Sequence, residues 1–580
     1  MSPATGQAPN WAPALAAALS EALPRLHGVA PDPLIGELIA ALSAALARGE
    51  LELDLVGPAP EAIQREGWPE AHRQSLARSP LAAEPDGPLV LVAGQRLLWR
   101  RWQQQRQRVL TTLIARSLEP PSAAQSPTAA SAAALDPSLD ARQRQAVQAV
   151  ERHGLVLLEG GPGTGKTSTV AAMITAAQVR QPGLRIHLAA PTGKAAARLR
   201  SATGGQLPCT TLHRLLESRG GSYGRHRHRL LELDLLVVDE VSMVDLGLME
   251  ALLEALPPCA QLLLVGDAAQ LPPIAPGPVL LELQQQPWRQ RLGQAAVTLT
   301  TSYRNRGAIA AVATALRASL NQAATSQLEE GASPIATIQA ELAALAPGDN
   351  LRWLEARPPL LPPELITPLR QHQQQLRQLA QDCDPEDGAS HAALLALRDQ
   401  LLVLTPVRQG PWGLEAIHRS LLGEQLRRSP ADWPAGTPVL CTRNLPELGL
   451  ANGDVGILIG SATDRSQRRI VFGSPGLELA AIHPAQLAGA AEAALALTVH
   501  KAQGSEARQV IVLLPPGRSD HRLLYTALTR ASEQALLITP PIRSPQGHPG
   551  ESVHLRRQPG HQDKQAGTRE HNAAQHVNEK

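Results

Sequence analysis

A glycine-rich segment that ends in adjacent lysine and threonine residues carries the clearest chemical signal in the sequence. The segment EGGPGTGKTS follows the apolar run GLVLL and fits the pattern GxxxxGK[ST]. Glycines let backbone N–H groups turn toward a triphosphate, and the helix that follows directs its positive end at the same anion. We therefore predict an ATP site in which Lys166 contacts the β- and γ-phosphates and Thr167 ligates Mg²⁺. The predicted lining is Gly160, Gly161, Pro162, Gly163, Thr164, Gly165, Lys166, Thr167 and Ser168.

Two adjacent carboxylates end a second apolar segment, LLVVDEVSMVD. Asp239 and Glu240 would be costly to bury without a cation, but beside a magnesium nucleotide both have a use. Asp239 is predicted to hold the metal, and Glu240 to polarise the water that attacks the γ-phosphate. A solvated strand end is the alternative interpretation of the pair, and the phosphate loop earlier in the chain favours hydrolysis.

Three further polar residues are candidates for contacts with the terminal phosphate. Gln270 follows the apolar run LLLVGD, just after Asp267, where an amide can respond to the γ-phosphate. Arg304 in TSYRNR and Arg530 in LLYTALTRA could neutralise transition-state charge from across a cleft. Either arginine alone could equally form a surface ion pair. Their occurrence with the phosphate loop and the carboxylate pair favours a catalytic role.

Alternating apolar and helical stretches predict the elements that position these side chains. Residues 138–320 contain the strand-like runs LVLL, RIHLAA, LDLLVVDE and QLLLVGD, which predict a parallel sheet covered by helices. A second series, LLVLTP, ALALTVH, QVIVLLPP and ALLIT, predicts a second α/β lobe over residues 401–541. Short alternating runs at about 433–487 predict a small antiparallel barrel inserted in that lobe. Residues 321–400 are predicted to form a helical connecting region.

The segments that flank the lobes differ in composition. Residues 1–116 are predicted to form a small, mainly helical domain, because leucines recur every four residues from Leu34 to Leu46. Residues 117–137 are rich in Pro, Ser and Ala without periodicity, which is typical of a linker. Residues 542–580 are polar with almost no large apolar side chains, and we predict that this tail is disordered.

Composition excludes several classes of protein. The apolar runs stop short of the ~20 residues that a membrane span needs, and the N-terminus lacks the pattern of a secretory signal, which predicts a cytoplasmic protein without membrane contact. The 4 cysteines form no CxxC pair, so neither a zinc site nor a disulfide framework is indicated. The formal net charge is +2, so any affinity for nucleic acid depends on local basic surfaces.

The ordered motifs between Gln143 and Arg530 resemble those of superfamily 1 DNA helicases, and their wording is closest to the RecD branch. LDARQRQAV is similar to the adenine-recognition element, APTGKAAARL and TTLHRLL to first-lobe strand-contacting motifs, and LTVHKAQGSE and LLYTALTRA to second-lobe motifs; NGDVGIL is also similar to that branch. The resemblance implies two RecA-like P-loop NTPase lobes with an SH3-like barrel insertion, and 5'-to-3' translocation on single-stranded DNA. It implies adenine contact by Gln143, DNA contact by Pro191, Thr192, Thr211, His213, Thr498 and His500, and a link between nucleotide and DNA through Gln503, Gly504 and Glu506.

The N-terminal region narrows this resemblance. LIGELIAALSAALARGELELDL and GPLVLVAGQRLLWRRWQQQRQRVLTTL are similar to the N-terminal domain of RecD subunits of exodeoxyribonuclease V, which docks on RecC within RecBCD. A heterotrimer with RecB-like and RecC-like subunits on DNA ends, with the nuclease in a partner, is thereby implied. Trp99 and Ala502 depart from residues that are frequent in the family, and neither is a catalytic group.

Two alternative functions and two basic segments remain open. The chain could be a stand-alone RecD-like helicase of replication or plasmid transfer, or a non-catalytic regulatory subunit. GSYGRHRHR could form a basic hairpin that faces DNA or a solvated loop. For WRRWQQQRQR we favour a surface that faces a partner or lies on a helix, over one that binds nucleic acid. Aromatic residues make up 2% of the chain, so widespread stacking on bases is not expected.

Overall fold

The computed structural model describes most of the chain. The described residues are 11–121, 138–301, 303, 307–323, 333–381, 383–384, 387–461, 464–473, 480–517 and 520–541. The predicted disordered tail lies outside them, and so does the predicted linker after residue 121. No helix among the described residues is both long enough and apolar enough to span a membrane.

The α-helices of the described residues have the following bounds. They are α1 (Trp11–Leu26), α2 (Pro33–Ala47), α3 (Glu70–Arg78), α4 (Pro80–Ala83), α5 (Arg100–Leu118), α6 (Ala141–Arg152), α7 (Lys166–Arg180), α8 (Gly193–Ala202), α9 (Leu212–Leu215), α10 (Leu246–Ala255), α11 (Val279–Gln284), α12 (Trp288–Leu292), α13 (Ala308–Ala323), α14 (Pro334–Thr337), α15 (Gln339–Ala343), α16 (Pro363–Gln381), α17 (Gly388–Arg398), α18 (Leu414–Leu422) and α19 (His521–Leu528).

The strands of the described residues form five sheets. They are β1 (Glu52–Asp54), β2 (Leu89–Val92), β3 (Arg96–Trp99), β4 (Leu155–Gly160), β5 (Ile186–Ala190), β6 (Cys209–Thr211), β7 (Ser218–Arg219), β8 (Ser222–Tyr223), β9 (Leu235–Val238), β10 (Gln261–Gly266), β11 (Ala296–Leu299), β12 (Leu351–Glu355), β13 (Leu401–Thr405), β14 (Pro438–Cys441), β15 (Val455–Ile459), β16 (Arg469–Phe472), β17 (Ala480–Ile482), β18 (Ala491–Ala493), β19 (Leu497–Thr498), β20 (Ala507–Leu513) and β21 (Ala531–Thr539).

The N-terminal region combines helices with a small antiparallel sheet of order β1-β3-β2. Asp32 starts α2 by accepting a hydrogen bond from the Leu34 N–H at 2.8 Å, with a proline at the first helical position. The last helix of the region, α5, packs into the core of the first lobe, where Leu113 and Ile114 are buried together with Leu155. The N-terminal region is therefore continuous with the first lobe through α5.

The basic segment at the start of α5 makes contacts within this chain. Arg106 Nη1 lies 3.1 Å from a Glu52 carboxylate oxygen and 3.4 Å from one of Glu282, and Arg108 Nη2 lies 2.8 Å from Glu250. The segment was predicted to face a partner or to lie on a helix; it lies on α5, and part of its basic surface pairs with acidic residues of β1 and of the first lobe.

The first lobe contains a parallel sheet of order β11-β4-β10-β9-β5-β6. The strands β4, β9 and β10 are buried along their whole length, as expected for a sheet that is covered on both faces. Because all strands run in one direction, every loop that follows a strand emerges at the same edge.

The second lobe contains a parallel sheet of order β12-β21-β20-β13-β19. Two RecA-like α/β lobes are thus present, as predicted. Residues 321–400 were predicted to form a helical connecting region, and within them β12 instead pairs in parallel with β21 in the second sheet. The alternation in LRWLE was too short to stand out beside the surrounding helical segments.

An antiparallel sheet of order β17-β16-β15-β14-β18 lies at Pro438–Ala493, between β13 and β19. The insertion predicted at about 433–487 overlaps this sheet. Its edge strands β17 and β18 do not pair with each other in the described part of the chain, so a closed SH3-like barrel remains a prediction.

Candidate nucleotide site between the two lobes

The phosphate-loop motif turns between β4 and α7. Gly163 and Gly165 have φ of +75° and +79°, a region that favours glycine, and a Cβ on Gly160 would collide with Thr164 Oγ1. Lys166 Nζ donates to the carbonyl oxygens of Gly160 and Gly161 at 2.8 and 3.0 Å. Burial lowers the pKa of Lys166, although nearby carboxylates raise it, Asp267 most strongly. The Lys166 side chain therefore lies against Gly160 and Gly161, the first residues of the loop.

The predicted carboxylate pair follows β9. Asp239 Oδ1 accepts the Glu240 N–H at 2.8 Å, and burial together with the Glu240 charge raises the pKa of Asp239 to about 6. Glu240 has φ of +53°, an uncommon conformation for a residue with a side chain, and such strain is often found at functional sites. A cation between the two carboxylates would relieve their repulsion.

The strand order arranges the candidate residues along one edge of the first sheet. Tyr303 follows β11, the phosphate loop follows β4, Gln270 follows β10 and Asp239 follows β9. Thr192 follows β5, farther along the edge. Residues predicted to contact nucleotide thus lie together, and those predicted to contact DNA come after them.

Arg530 of the second lobe reaches Gln270 of the first. Its Nη2 donates to Gln270 Oε1 at 3.1 Å and its Nη1 donates to the Ser505 carbonyl oxygen at 3.3 Å, while the side chain is buried. Burial lowers the pKa of Arg530, and Glu240 is the leading charge that raises it. Of the two predicted arginines, Arg304 lies outside the described residues. Arg530 is therefore the predicted arginine that the structure brings to the lobe interface.

Further hydrogen bonds join the same faces of the lobes. Gln503 Nε2 donates to the Leu271 carbonyl oxygen at 3.0 Å, and the Leu271 N–H donates to Thr526 Oγ1 at 2.9 Å. A Glu506 carboxylate oxygen lies 3.5 Å from Arg198 Nη1. The residue next to Gln270 is thus tied to the second lobe through both its N–H and its carbonyl group.

Gln143 and Tyr303 border the other end of the phosphate loop. Gln143 accepts the Asp140 N–H at 2.9 Å, and a Cβ on Gly165 would lie 2.6 Å from Gln143 Nε2. The Tyr303 N–H donates to the Gly163 carbonyl oxygen at 2.8 Å, and its hydroxyl donates to Asp140 at 2.7 Å. An amide and a half-exposed ring therefore meet at the end of the loop opposite Gly161.

The residues predicted to contact DNA lie at strand ends in both lobes. Thr192 caps α8 by accepting the Ala195 N–H, and Thr211 caps α9. Thr192 also approaches the second lobe, because a Cβ on Gly504 would lie 3.2 Å from its Oγ1. Thr498 accepts the Lys501 N–H at 3.3 Å. The remaining members are Pro191, which precedes Thr192, exposed His213, and His500, whose pKa is lowered by burial.

The basic segment GSYGRHRHR contains β8 of the hairpin β7–β8. Two of its three arginines are paired, since Glu217 lies 2.8 Å from Arg225 and 2.6 Å from Arg229. Arg227 lies at the surface, with its Nε directed at the neighbouring His228 ring at 3.1 Å. The excess positive charge that this hairpin offers is therefore smaller than its sequence suggests.

Three residues at this interface were missed by the sequence analysis. Tyr525 donates a hydrogen bond to Asp267 at 2.8 Å, Arg317 Nη2 lies 3.7 Å from Asp267, and Tyr303 borders the phosphate loop. Tyr303 and Tyr525 occur inside motifs that we had quoted for their arginines. No motif signalled Arg317, because it lies on α13, whose sequence reads as an ordinary amphipathic helix.

Comparisons with known proteins agree with this site. Residues 143–276 match a family model described as an AAA domain, and residues 493–538 match a UvrD-like helicase C-terminal domain. The RecBCD enzyme subunit RecD of Mycolicibacterium smegmatis is 34% identical over 546 residues, which cover 88% of this chain and 90% of that protein. The chain belongs to the RecD family. It is an ATP-dependent DNA helicase of superfamily 1.

Two other proteins are similar to a smaller part of this chain. The ATP-dependent RecD2 DNA helicase of Deinococcus radiodurans is 32% identical, and the match covers 68% of this chain but 48% of that protein. A solved Bacteroides Pif1 bound to single-stranded DNA is 18% identical with a TM-score of 0.40, covering 69% of this chain and 92% of that one. The match to the Mycolicibacterium smegmatis RecD extends over nearly the whole length of both proteins.

Proposed function

We propose that this RecD family member is a 5'-to-3' helicase that works as the RecD subunit of a RecBCD-type complex in double-strand break repair and homologous recombination. The observation that carries the motor function is the contact between Arg530 and Gln270 across the lobes, beside an intact phosphate loop. The near full-length match to RecD subunits supports the role within a complex. The weaker coverage of RecD2 gives less support to a stand-alone helicase.

ATP is proposed to bind with its phosphates on the loop 160–168. Lys166 would exchange the two loop carbonyls that it now contacts for oxygens of the β- and γ-phosphates. At the opposite end, the ring of Tyr303 offers a stacking surface for adenine, and the amide of Gln143 offers a donor and an acceptor for its edge.

The carboxylate pair fits Mg²⁺. Burial and mutual repulsion disfavour the ionised form of Asp239, which is the environment that a divalent cation compensates. Thr167 and Asp239 would hold the ion. When bound, Mg²⁺ supplies neutralisation of charge on the β- and γ-phosphate oxygens.

Hydrolysis is proposed to proceed with Glu240 as the general base. The oxygen of water forms a bond to the γ-phosphorus, the bond to the bridging oxygen breaks, and ADP leaves with that electron pair. Glu240 accepts the proton that the water loses. Arg530 and Lys166 stabilise the charge on the transferred phosphoryl group from the two lobes.

Lobe movement would follow from this shared contact. Loss of the γ-phosphate removes the anion that attracts groups from both lobes, so the interface relaxes. Gln503 and Thr192 carry the change toward the strand ends where DNA contact is proposed. Alternating grip by Thr192 and Thr211 on one lobe and Thr498 and His500 on the other would then move the strand.

We also propose a cytoplasmic location, nuclease activity in a partner, and assembly with RecB-like and RecC-like subunits through the N-terminal region.

Unwinding assays with tailed duplexes test this proposal. The purified chain should unwind a duplex with a 5' overhang in the presence of Mg²⁺ and ATP, and Lys166→Gln should lower ATP hydrolysis by at least about 100-fold. Arg185→Gln, which breaks an exposed pair with Asp234 at the other edge of the sheet, is the control. Preferred unwinding from a 3' overhang would contradict the polarity, and failure to co-purify with two larger subunits would contradict the RecBCD assignment.

A further inference from the structure

The helix α13 carries an arginine across the lobe interface to the phosphate loop. Ile309, Val312 and Leu316 of α13 are buried in one core cluster with Leu523 and Leu528 of α19, so α13 packs with the second lobe. The next residue, Arg317, extends toward the first lobe. A Cβ placed on Gly161 would lie 3.0 Å from Arg317 Nη1.

The contact at Gly161 marks the terminal-phosphate end of the loop. Lys166, the residue type that reaches β- and γ-phosphates, is held at the carbonyl oxygens of Gly160 and Gly161. Gln143 approaches the opposite end, at Gly165. A nucleotide that follows the loop therefore has its last phosphate near Gly161 and its base near Gly165.

Arg317 is held near this end by groups that an anion could replace. Its Nη2 lies 3.7 Å from Asp267 Oδ1, which is an ion pair without a hydrogen bond. Asp267 is fully buried and already accepts the Tyr525 hydroxyl at 2.8 Å and the Ala269 N–H at 3.1 Å. Asp267 thus keeps hydrogen-bond partners when the guanidinium moves away. The side chain of Arg317 is 28% exposed, which leaves room for that movement.

We propose that Arg317 binds the γ-phosphate of ATP from the second lobe, so that α13 distinguishes ATP from ADP. The guanidinium offers several donors in a planar fork, and a terminal phosphate presents a geometry that suits it. In the structure, the Arg317 guanidinium forms an ion pair with Asp267. When ATP binds, the guanidinium turns to the terminal phosphate and draws α13, with the second lobe, toward the phosphate loop. This role rests on the proposed ATP-driven function and adds a second arginine from that lobe to Arg530.

The experiment compares nucleotide binding by wild type, Arg317→Gln and Arg317→Lys. Fluorescent derivatives of ADP and of a non-hydrolysable ATP analogue are titrated in the presence of Mg²⁺, and thermal midpoints report folding. Arg317→Gln should weaken the ATP analogue by about 10- to 100-fold and ADP by less than about 3-fold, because the contact exists only with the γ-phosphate. Arg317→Lys should recover part of the loss, since charge without the fork remains.

A double variant separates nucleotide contact from charge balance. If Arg317 only neutralises Asp267, then Asp267→Asn in the Arg317→Gln background restores binding of the ATP analogue, and the proposal is overturned. Equal weakening of ADP and the analogue, no weakening, or loss of folding that Asp267→Asn repairs also overturns it. If the double variant still binds the ATP analogue more weakly than wild type while its binding of ADP is little changed, the proposal is supported. Failure of the wild type to bind the analogue would instead reject the ATP-driven function, and Arg185→Gln should match wild type throughout.

Discussion

The conformation of Glu240 links catalysis to local instability. Its left-handed backbone and its position next to Asp239 hold two carboxylates together after a buried strand. Neither feature stabilises the protein, because positive φ costs about 1 kcal/mol or more in a residue with a side chain and like charges repel. The site therefore keeps an arrangement that is useful when a metal nucleotide is present and unfavourable without it.

Glu240→Gln tests this with a pH-dependent stability measurement. Burial and the Glu240 charge raise the pKa of Asp239 from 3.8 to about 6, so ionised Asp239 is disfavoured in the folded protein. The loss of folding stability that ionised Asp239 causes is absent below about pH 4 and complete above about pH 6. Removing the neighbouring charge lowers this pKa and should raise the thermal midpoint by about 2 °C at pH 7.5, with a much smaller gain at pH 4.5.

The measurement is differential scanning fluorimetry without nucleotide or Mg²⁺. Hydrolysis by the same variant should fall at least about 100-fold, because the proposed general base is lost. A gain in the thermal midpoint that is equal at both pH values would show that the two carboxylates do not interact as described.

Among the elements, α5 decides how the N-terminal region is attached to the motor. The helix buries Leu113 and Ile114 against the first sheet, and Arg116 near its end donates to backbone carbonyl oxygens of the first lobe. Those acceptors belong to the residues that follow α10 and lead into β10. The N-terminal region is thus fixed, through α5, to the segment that leads into β10, the strand before Gln270.

Arg116→Met should loosen α5 selectively. Nη1 and Nη2 of Arg116 each lie 3.0 Å from one carbonyl oxygen, and loss of such charged hydrogen bonds costs about 1.5 to 3 kcal/mol. Amide hydrogen exchange in α5 should accelerate, while exchange in α7 stays unchanged. Arg108→Met on the same helix is the matched control, because Arg108 is 63% exposed and its pair with Glu250 is worth less than about 1 kcal/mol. Equal acceleration in both variants would contradict the anchoring role.

At the scale of the whole molecule, the sheets of the two lobes meet at an interface that includes the candidate nucleotide site. Residues around β10 of the first lobe meet the loop before β20 and helix α19 of the second, and several of these contacts are hydrogen bonds to backbone groups. In the proposed function, these hydrogen bonds would pass a change in lobe position to the residues proposed to contact DNA.

Gln503→Ala should reduce the coupling between DNA and ATP hydrolysis. The variant loses the 3.0 Å hydrogen bond to Leu271, the neighbour of Gln270, so DNA bound near Thr498 has a weaker effect on the nucleotide site. We expect the ratio of DNA-stimulated to unstimulated ATP hydrolysis to fall about 10-fold, a typical coupling free energy for one link. Gln534→Ala on the exposed part of β21 is the control. An unchanged ratio in Gln503→Ala would show that coupling takes another route.

The two-lobe architecture and the ATP-dependent helicase activity could be predicted from the amino-acid sequence alone. The phosphate loop, the Asp239–Glu240 pair and the strand runs are local patterns, because each depends on residues within a few positions of one another. The contacts between residues that are distant in the chain became known from the tertiary structure. It placed Arg530 on Gln270, Tyr525 and Arg317 on Asp267, and α5 in the first-lobe core. Such pairs are more than 40 residues apart in the chain, and strand order and helix packing, which leave no short-range pattern, bring them together.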